Sequence, residues 1–163
     1  MERAKKMNNS LNVLADSLDM KIDVLKKILD HTTRQKSIFE CEDPDLDEFD
    51  RLVDEKDVLV DKLESLDDGF ETLYQDVSEQ LKTDRDRYSS QIKILQGKIR
   101  EITDMSASIQ AQEARNKKMI EDYFTRSRQG IKQNRASSKA AFDYYKNMTG
   151  MNLQIPGAWD SKN

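Results

Sequence analysis

Apolar residues recur in steps of three and four along the first part of the chain, which is the spacing of a helix that buries one face. Ile22 and Leu29 widen this stripe. The spacing predicts a first helix over residues 3–39. The series consists of Ala4, Met7, Leu11, Leu14, Leu18, Lys21, Leu25, Ile28, Thr32, Gln35 and Phe39.

An acidic break at residues 40–44 separates the first series from a second one. Asp43 is placed to cap a helix with its side-chain oxygen, and Pro44 suits the first helical position. The pattern predicts a second helix over residues 44–81, in which Gly69 marks either a close helix approach or a tolerated weak point. This second series consists of Phe49, Leu52, Lys56, Leu59, Leu63, Leu66, Phe70, Leu73 and Val77.

Residues 83–87 carry no apolar side chain and predict a second turn, after which a third series begins. Because the segment contains neither Gly nor Pro, a continuous helix through it is the alternative. The helical pattern continues to residue 148, so we expect a third helix over residues 86–148. Gly97 and Gly130 are the positions where it could bend. The series consists of Tyr88, Ile92, Leu95, Ile99, Ile102, Ser106, Ile109, Glu113, Asn116, Ile120 and Tyr123.

These lengths predict an all-α fold, either a long antiparallel hairpin or a three-helix coiled-coil-like bundle. Residues 1–148 form one elongated domain in this interpretation, and residues 149–163 form a flexible tail. A third helix needs only about as many residues as the first two to run back along them, so its end would overhang. Apolar residues without an internal partner invite an external one. The candidate partner-binding residues are Met119, Ile120, Tyr123, Phe124, Ile131, Phe142, Tyr144, Tyr145 and Met148.

Composition and charge indicate which kinds of partner, protein, nucleic acid or membrane, suit the chain. Apolar and charged residues each make up 36% of the chain, which suits long helices with a narrow buried stripe. Residues 1–81 hold 11 basic and 22 acidic side chains, whereas residues 82–146 hold 15 and 8. The basic half could bind nucleic acid or lie against the acidic half, and we favour the second. No stretch approaches the roughly 20 apolar residues of a membrane span, so we expect a cytoplasmic protein without membrane insertion.

The residue types needed for catalysis are scarce. His31 is the single histidine and is expected on a helix surface, and Cys41, the single cysteine, lies in an acidic turn that disfavours a thiolate. Neither a metal-ligand spacing nor a phosphate-binding loop occurs in the sequence. We therefore expect a protein that is not an enzyme and that uses no cofactor or metal.

The second helix resembles that of the FlgN-type flagellar export chaperones, in which a short acidic turn precedes a helix centred on Glu-Lys-x-x-Leu. The resemblance extends over residues 10–148, although the chain is long for the family and Gly130 interrupts a region expected to be regular helix. The similar residues are Asp45-Leu46, Leu52-Val53-Asp54-Glu55-Lys56-Asp57-x-Leu59, Leu63-Glu64-x-Leu66-Asp67 and the later segment Ala140-Ala141-Phe142-Asp143-Tyr144-Tyr145.

This resemblance implies a bacterial cytoplasmic chaperone of the flagellar type III export system. Such chaperones bind the C-terminal segments of hook-associated proteins and deliver them to the export gate, and a tyrosine in the segment that holds Tyr144 and Tyr145 contributes to gate contact. The expected partners are proteins, and the chain is expected to be a monomer or homodimer. A structural coiled-coil scaffold and a nucleic-acid binder remain the alternatives.

Overall fold

The computed structural model describes residues 2–126, which form three helices and no strand. They are α1 (Glu2–Glu40), α2 (Leu46–Thr83) and α3 (Ser89–Arg126). The predicted all-α bundle is confirmed, and the three predicted helices lie within a few residues of their expected starts. The continuation of the third helix to residue 148, the bend at Gly130 and the tail over residues 149–163 lie outside the described residues.

The start of α2 differs from the prediction because Asp45, and not Asp43, caps the helix. The Glu48 backbone N–H donates to Asp45 Oδ1 at 3.1 Å, and the Phe49 N–H donates to the Asp45 carbonyl oxygen at 3.1 Å. Both contacts are those of an N-cap residue. Pro44 therefore precedes the helix, where it is buried, and does not occupy its first turn.

The predicted turn between α2 and α3 is confirmed over residues 84–88. The Arg87 N–H donates to the Asp84 carbonyl at 3.0 Å, which closes the turn. Tyr88, only 2% exposed, anchors the turn in the core. α3 begins three residues later than expected because residues 86–88 belong to this turn.

The described residues divide into two compact units, and each helix contributes a segment to both. Unit 1 comprises residues 2–25 and 61–104, and unit 2 comprises residues 26–60 and 105–126. In unit 1, Asn8 contacts Gln91 and Asp19 contacts Lys98, at chain separations of 83 and 79 residues. This nearly constant offset shows that α1 and α3 run parallel there.

In unit 2, the chain separation between α1 and α2 partners falls along α1. It is 24 residues for His31 and Glu55 and 10 residues for Phe39 and Phe49, so the partner on α2 moves back along the chain as α1 advances. The decrease shows that α1 and α2 run antiparallel in this unit, as the short turn at residues 41–45 requires.

The core of unit 1 is almost wholly apolar. It contains seventeen buried apolar side chains and one buried polar side chain, Lys21. Lys21 Nζ donates to Asp67 Oδ1 at 2.5 Å. Burial of the apolar stripes, worth roughly 25 cal/mol per Å² of apolar surface, therefore holds this unit together.

Neither Gly69 nor Gly97 is required by a close helix approach. A Cβ atom added at either position would meet nothing within 4 Å, and both residues continue a regular helix. Of the two alternatives for Gly69, a tolerated weak point therefore fits and a close helix approach does not. Gly97 does not break α3. Among residues 2–126, no helix is both long and apolar enough to cross a membrane.

The Asp45 cap can be tested against its neighbour in the same turn. Asp45→Ala should lower the free energy of unfolding by about 1 kcal/mol, because it leaves N–H groups of the first turn of α2 without their acceptor. Asp43→Ala is the matched control and should change it by less than about 0.5 kcal/mol. Urea unfolding followed by circular dichroism measures both variants, and the reverse order would contradict the assigned cap.

Candidate functional site

Unit 2 is built around buried polar side chains. Its described residues include six buried apolar and six buried polar side chains, a balance quite unlike that of unit 1. Five of the polar residues, here called the polar layer, come from all three helices. They are Thr32 and Gln35 on α1, Lys56 on α2, and Glu113 and Asn116 on α3.

Lys56 lies at the centre of the polar layer. Its side chain is 0% exposed, and its Nζ donates to Gln35 Oε1 at 2.7 Å and to Glu113 Oε1. Glu113 is 1% exposed. The ammonium of α2 thus binds one oxygen from each of the other two helices, which ties the three segments together by charge-assisted hydrogen bonds.

Thr32 and Asn116 extend the polar layer along α1 and α3. Thr32 Oγ1 lies 2.9 Å from Glu113 Oε1 and 2.7 Å from the Ile28 carbonyl oxygen, and its single proton serves one acceptor at a time. Asn116 Nδ2 donates to the Thr32 carbonyl oxygen at 2.9 Å. Polar contacts therefore hold α3 against α1 in this unit, in addition to apolar ones.

The hydrogen bonds of unit 2 do not satisfy every buried polar atom. Gln35 Nε2 and Ser106 Oγ are buried and have no hydrogen-bond partner among the described residues. A buried donor without an acceptor costs on the order of 1–3 kcal/mol. The polar layer therefore specifies how the helices pair at the expense of stability.

Burial shifts the pKa of one member of each of two ion pairs, Lys56–Glu113 and Lys21–Asp67, in the direction that disfavours its charged form. Desolvation lowers the pKa of Lys56 below its ordinary value, and the nearby Glu113 carboxylate opposes this effect. In unit 1, desolvation raises the pKa of Asp67, and the hydrogen bond from Lys21 opposes it. Both pairs thus pay a desolvation cost that their contacts offset only in part.

The second recognisable feature of unit 2 is an aromatic cluster. It comprises Phe39, Phe49, Tyr123 and Phe124, here called the aromatic end. The Phe39 ring lies edge-on to Phe49 at 5.1 Å and to Tyr123 at 5.5 Å, measured between ring centroids. Tyr123 and Phe124 are 5.2 Å apart. Phe49 is buried, whereas Phe39, Tyr123 and Phe124 are half-buried.

The candidate partner-binding residues fall into three groups. Met119, Tyr123 and Phe124 are half-buried and present part of their surface to solvent. Ile120 is only 5% exposed, so it belongs to the core of unit 2 and offers no open face. The remaining candidates lie outside the described residues, and they are Ile131, Phe142, Tyr144, Tyr145 and Met148.

His31 differs from the expected helix-surface residue. Its side chain is 15% exposed, and its Nε2 lies 2.7 Å from Glu55 Oε2. Its Nδ1 lies 2.8 Å from the Lys27 carbonyl oxygen. Both neighbours are acceptors, so both contacts are hydrogen bonds only when the ring carries two protons. Cys41, which lies in the acidic turn, is exposed and forms no disulfide.

The expected attraction between the acidic and basic halves accounts for only part of the pairing. Lys98 on α3 donates to Asp19 on α1 at 2.5 Å, so here a base of the basic half meets an acid of the acidic half, as expected. Lys56 and Glu113 pair in the opposite sense, because the base lies on α2 and the acid on α3. Individual contacts, and not the net charge of each half, therefore decide which charges meet.

A pocket in unit 1 has a volume of about 110 Å³. Drug-sized ligands occupy pockets of roughly 300–1,000 Å³, so this space is too small for a ligand of that size. Among residues 2–126, no group of three His, Cys, Asp or Glu side chains is placed to hold a metal ion. The pocket is lined by Tyr74, Ser78, Leu81, Lys82, Arg85, Ile92 and Gln96.

Comparison with known proteins adds no relative from which a function could be taken. No family model matches the chain, and neither a curated protein nor a solved structure was found to match it. The polar layer and the aromatic end therefore carry the functional argument on their own geometry.

Because the side chains of the polar layer depend on one another, single and combined substitutions should change the free energy of unfolding in opposite directions. Lys56→Met alone, or Glu113→Leu alone, should lower the free energy of unfolding by about 3–5 kcal/mol, because each leaves a buried charge without its partner. The combination of Gln35→Leu, Lys56→Met and Glu113→Leu, here called the apolar-layer variant, should raise it by about 1–4 kcal/mol.

Urea unfolding of the three variants measures this difference. The exposed pair Lys118→Met and Glu121→Leu on α3 is the control, and it should stay within about 0.5 kcal/mol of the unsubstituted chain. Additive losses in the apolar-layer variant would show that the five side chains do not act as one buried network.

Stability should also depend on alkaline pH through Lys56. Its native-state pKa lies below the ordinary 10.5, so the unfolded chain binds more protons between the two values. The free energy of unfolding should therefore rise with pH toward about 10.5, relative to the apolar-layer variant. Denaturant titrations from neutral pH to about 10.5 test this, and parallel pH profiles for the two proteins would contradict it.

Proposed function

We propose that the chain is an export chaperone of the FlgN type, which binds a helical C-terminal segment of a flagellar hook-associated protein in the bacterial cytoplasm and delivers it for type III export. The observation that carries this proposal is the aromatic end. Tyr123 and Phe124 leave part of their rings exposed at the last described turn of α3. The remaining candidate residues follow directly along the chain.

The chemistry of the task suits such a surface. Before assembly, the C-terminal segment of an export substrate is an amphipathic helix with no partner, and its apolar stripe promotes self-association. Half-buried aromatic side chains and the flexible side chain of Met119 cover such a stripe and gain roughly 25 cal/mol per Å² of apolar area. No covalent step is needed, which agrees with the expectation that the protein is not an enzyme.

The buried seam of α3 favours this proposal over a structural scaffold. A scaffold would bury the third seam between identical chains. In this protein, however, Ile99, Ile102 and Ile109 are at most 1% exposed within a single chain. A concentration-independent monomer in light scattering would support the chaperone, whereas an obligate homo-oligomer would favour the scaffold.

The proposal is tested by co-purifying the full chain with hook-associated proteins of its own bacterium. Tyr123→Ser combined with Phe124→Ser should lower the captured amount at least about tenfold, because hot-spot aromatics carry much of the binding energy of an interface. Ile94→Ser is the matched control, since Ile94 is an apolar residue 57% exposed on unit 1. It should leave capture unchanged.

A second comparison separates the described surface from the rest of the chain. Removal of residues 127–148 keeps Ile120 in the core of unit 2 and deletes the later candidate residues. Full capture by this truncated chain would assign binding to the aromatic end alone. Failure of the intact chain to retain any hook-associated protein would reject the proposed function.

A further inference from the structure

The segments of α3 in the two units are held by different kinds of side chain. In unit 1, the buried residues of α3 are Ile92, Leu95, Ile99 and Ile102, all of them apolar. In unit 2, the segment 105–126 buries only two apolar side chains, Ile109 and Ile120. Its other buried residues are Ser106, Glu113 and Asn116.

This difference predicts that segment 105–126 is held less strongly than the part of α3 in unit 1. Local opening requires little free energy where few apolar contacts are lost. The polar groups of the segment regain hydrogen bonds to water when it leaves, and this offsets much of what their buried contacts contribute. The apolar residues of α3 in unit 1 gain no such compensation.

Departure of the segment would uncover Lys56 and Gln35, and these two side chains determine which groups a replacing helix must supply. The Lys56 ammonium would lose the Glu113 carboxylate and face water, and a helix that buried it again without offering a carboxylate would meet a strongly unfavourable desolvation cost. Gln35 Nε2 already lies buried without a hydrogen-bond partner among the described residues. A helix that takes the place of the segment must therefore supply a carboxylate within its apolar stripe.

We infer that segment 105–126 of α3 opens from unit 2, and that the uncovered face of α1 and α2 binds an amphipathic helix carrying a carboxylate at a position of its apolar stripe. The occupant is thus an acidic-apolar helix, chosen by charge complementarity to Lys56. This inference goes beyond the proposed function, on which its biological setting rests, because the docking face on α1 and α2 is a second surface, distinct from the aromatic end.

Hydrogen exchange of the full chain, read by mass spectrometry, tests the opening. Amides of residues 105–126 should exchange at least about tenfold faster than those of residues 89–104. The apolar-layer variant should slow exchange in 105–126 by roughly tenfold or more, because it replaces the buried charges by apolar contacts. The exposed pair Lys118→Met and Glu121→Leu is the control and should change neither rate. Equal rates in the two segments of the unsubstituted chain would overturn the inference.

Two synthetic helical peptides of about three heptads test the occupant. They have the same leucine stripe and differ in one central stripe position, which is Glu in the first and Leu in the second. The chain should bind the Glu peptide at least about tenfold more tightly, and the apolar-layer variant should lose this preference. If the apolar-layer variant does not fold, Glu113→Gln serves instead, since it weakens the hold of α3 while Lys56 remains and should strengthen Glu-peptide binding.

The outcomes separate the inference from the proposed function. Tighter binding of the Leu peptide, or equal binding of both peptides, would overturn the inferred recognition even if hook-associated proteins are retained through the aromatic end. Preference for the Glu peptide without capture of any hook-associated protein would support the docking face and reject the flagellar client.

Discussion

The ammonium of Lys56 meets Glu113 in a place that water does not reach, and the arrangement of unit 2 depends on that contact. A charged group buried at 0% exposure is tolerated only when its partners lie at a fixed distance and direction. Those partners come from α1 and α3, so the pairing of all three segments follows from one side chain of α2. Apolar stripes alone would permit a helix to slide by a turn, because leucine packs against leucine at many positions. The polar layer removes that freedom.

The same contact limits how strongly unit 2 can be held. Its core divides evenly between buried apolar and buried polar side chains, whereas unit 1 contains Lys21 as its one buried polar residue among the described positions. In the proposed mechanism, unit 1 supplies stability and unit 2 supplies the surface that can be exchanged. The proposed chaperone function needs both properties, because a chaperone must remain folded while it binds and releases a segment. The aromatic end lies in unit 2, where half-buried rings provide apolar contact.

Much of the fold could be predicted from the spacing of apolar residues, because burial of one face dominates long helices. The three helices and the turn at residues 84–88 follow from that spacing. The cap of α2 was misplaced because Asp43 and Asp45 carry the same side chain, and only the path of the chain around Pro44 distinguishes them. The series also placed Thr32, Gln35, Lys56, Glu113 and Asn116 at stripe positions. Their common network was missed because the level at which residues from different helices meet depends on the turns. Polar residues interrupting all three stripes were the available signal.

Side-chain NMR of Lys56 in the full chain at mildly acidic pH tests the buried ion pair most directly. We expect slowly exchanging ammonium protons on Lys56 Nζ, with nuclear Overhauser contacts to the side chains of Gln35 and Glu113. Lys26 and Lys27, which are exposed on the same bundle, should show no such protected signals. A Lys56 ammonium that exchanges with water as rapidly as theirs would contradict the polar layer, and with it the division of roles between the two units.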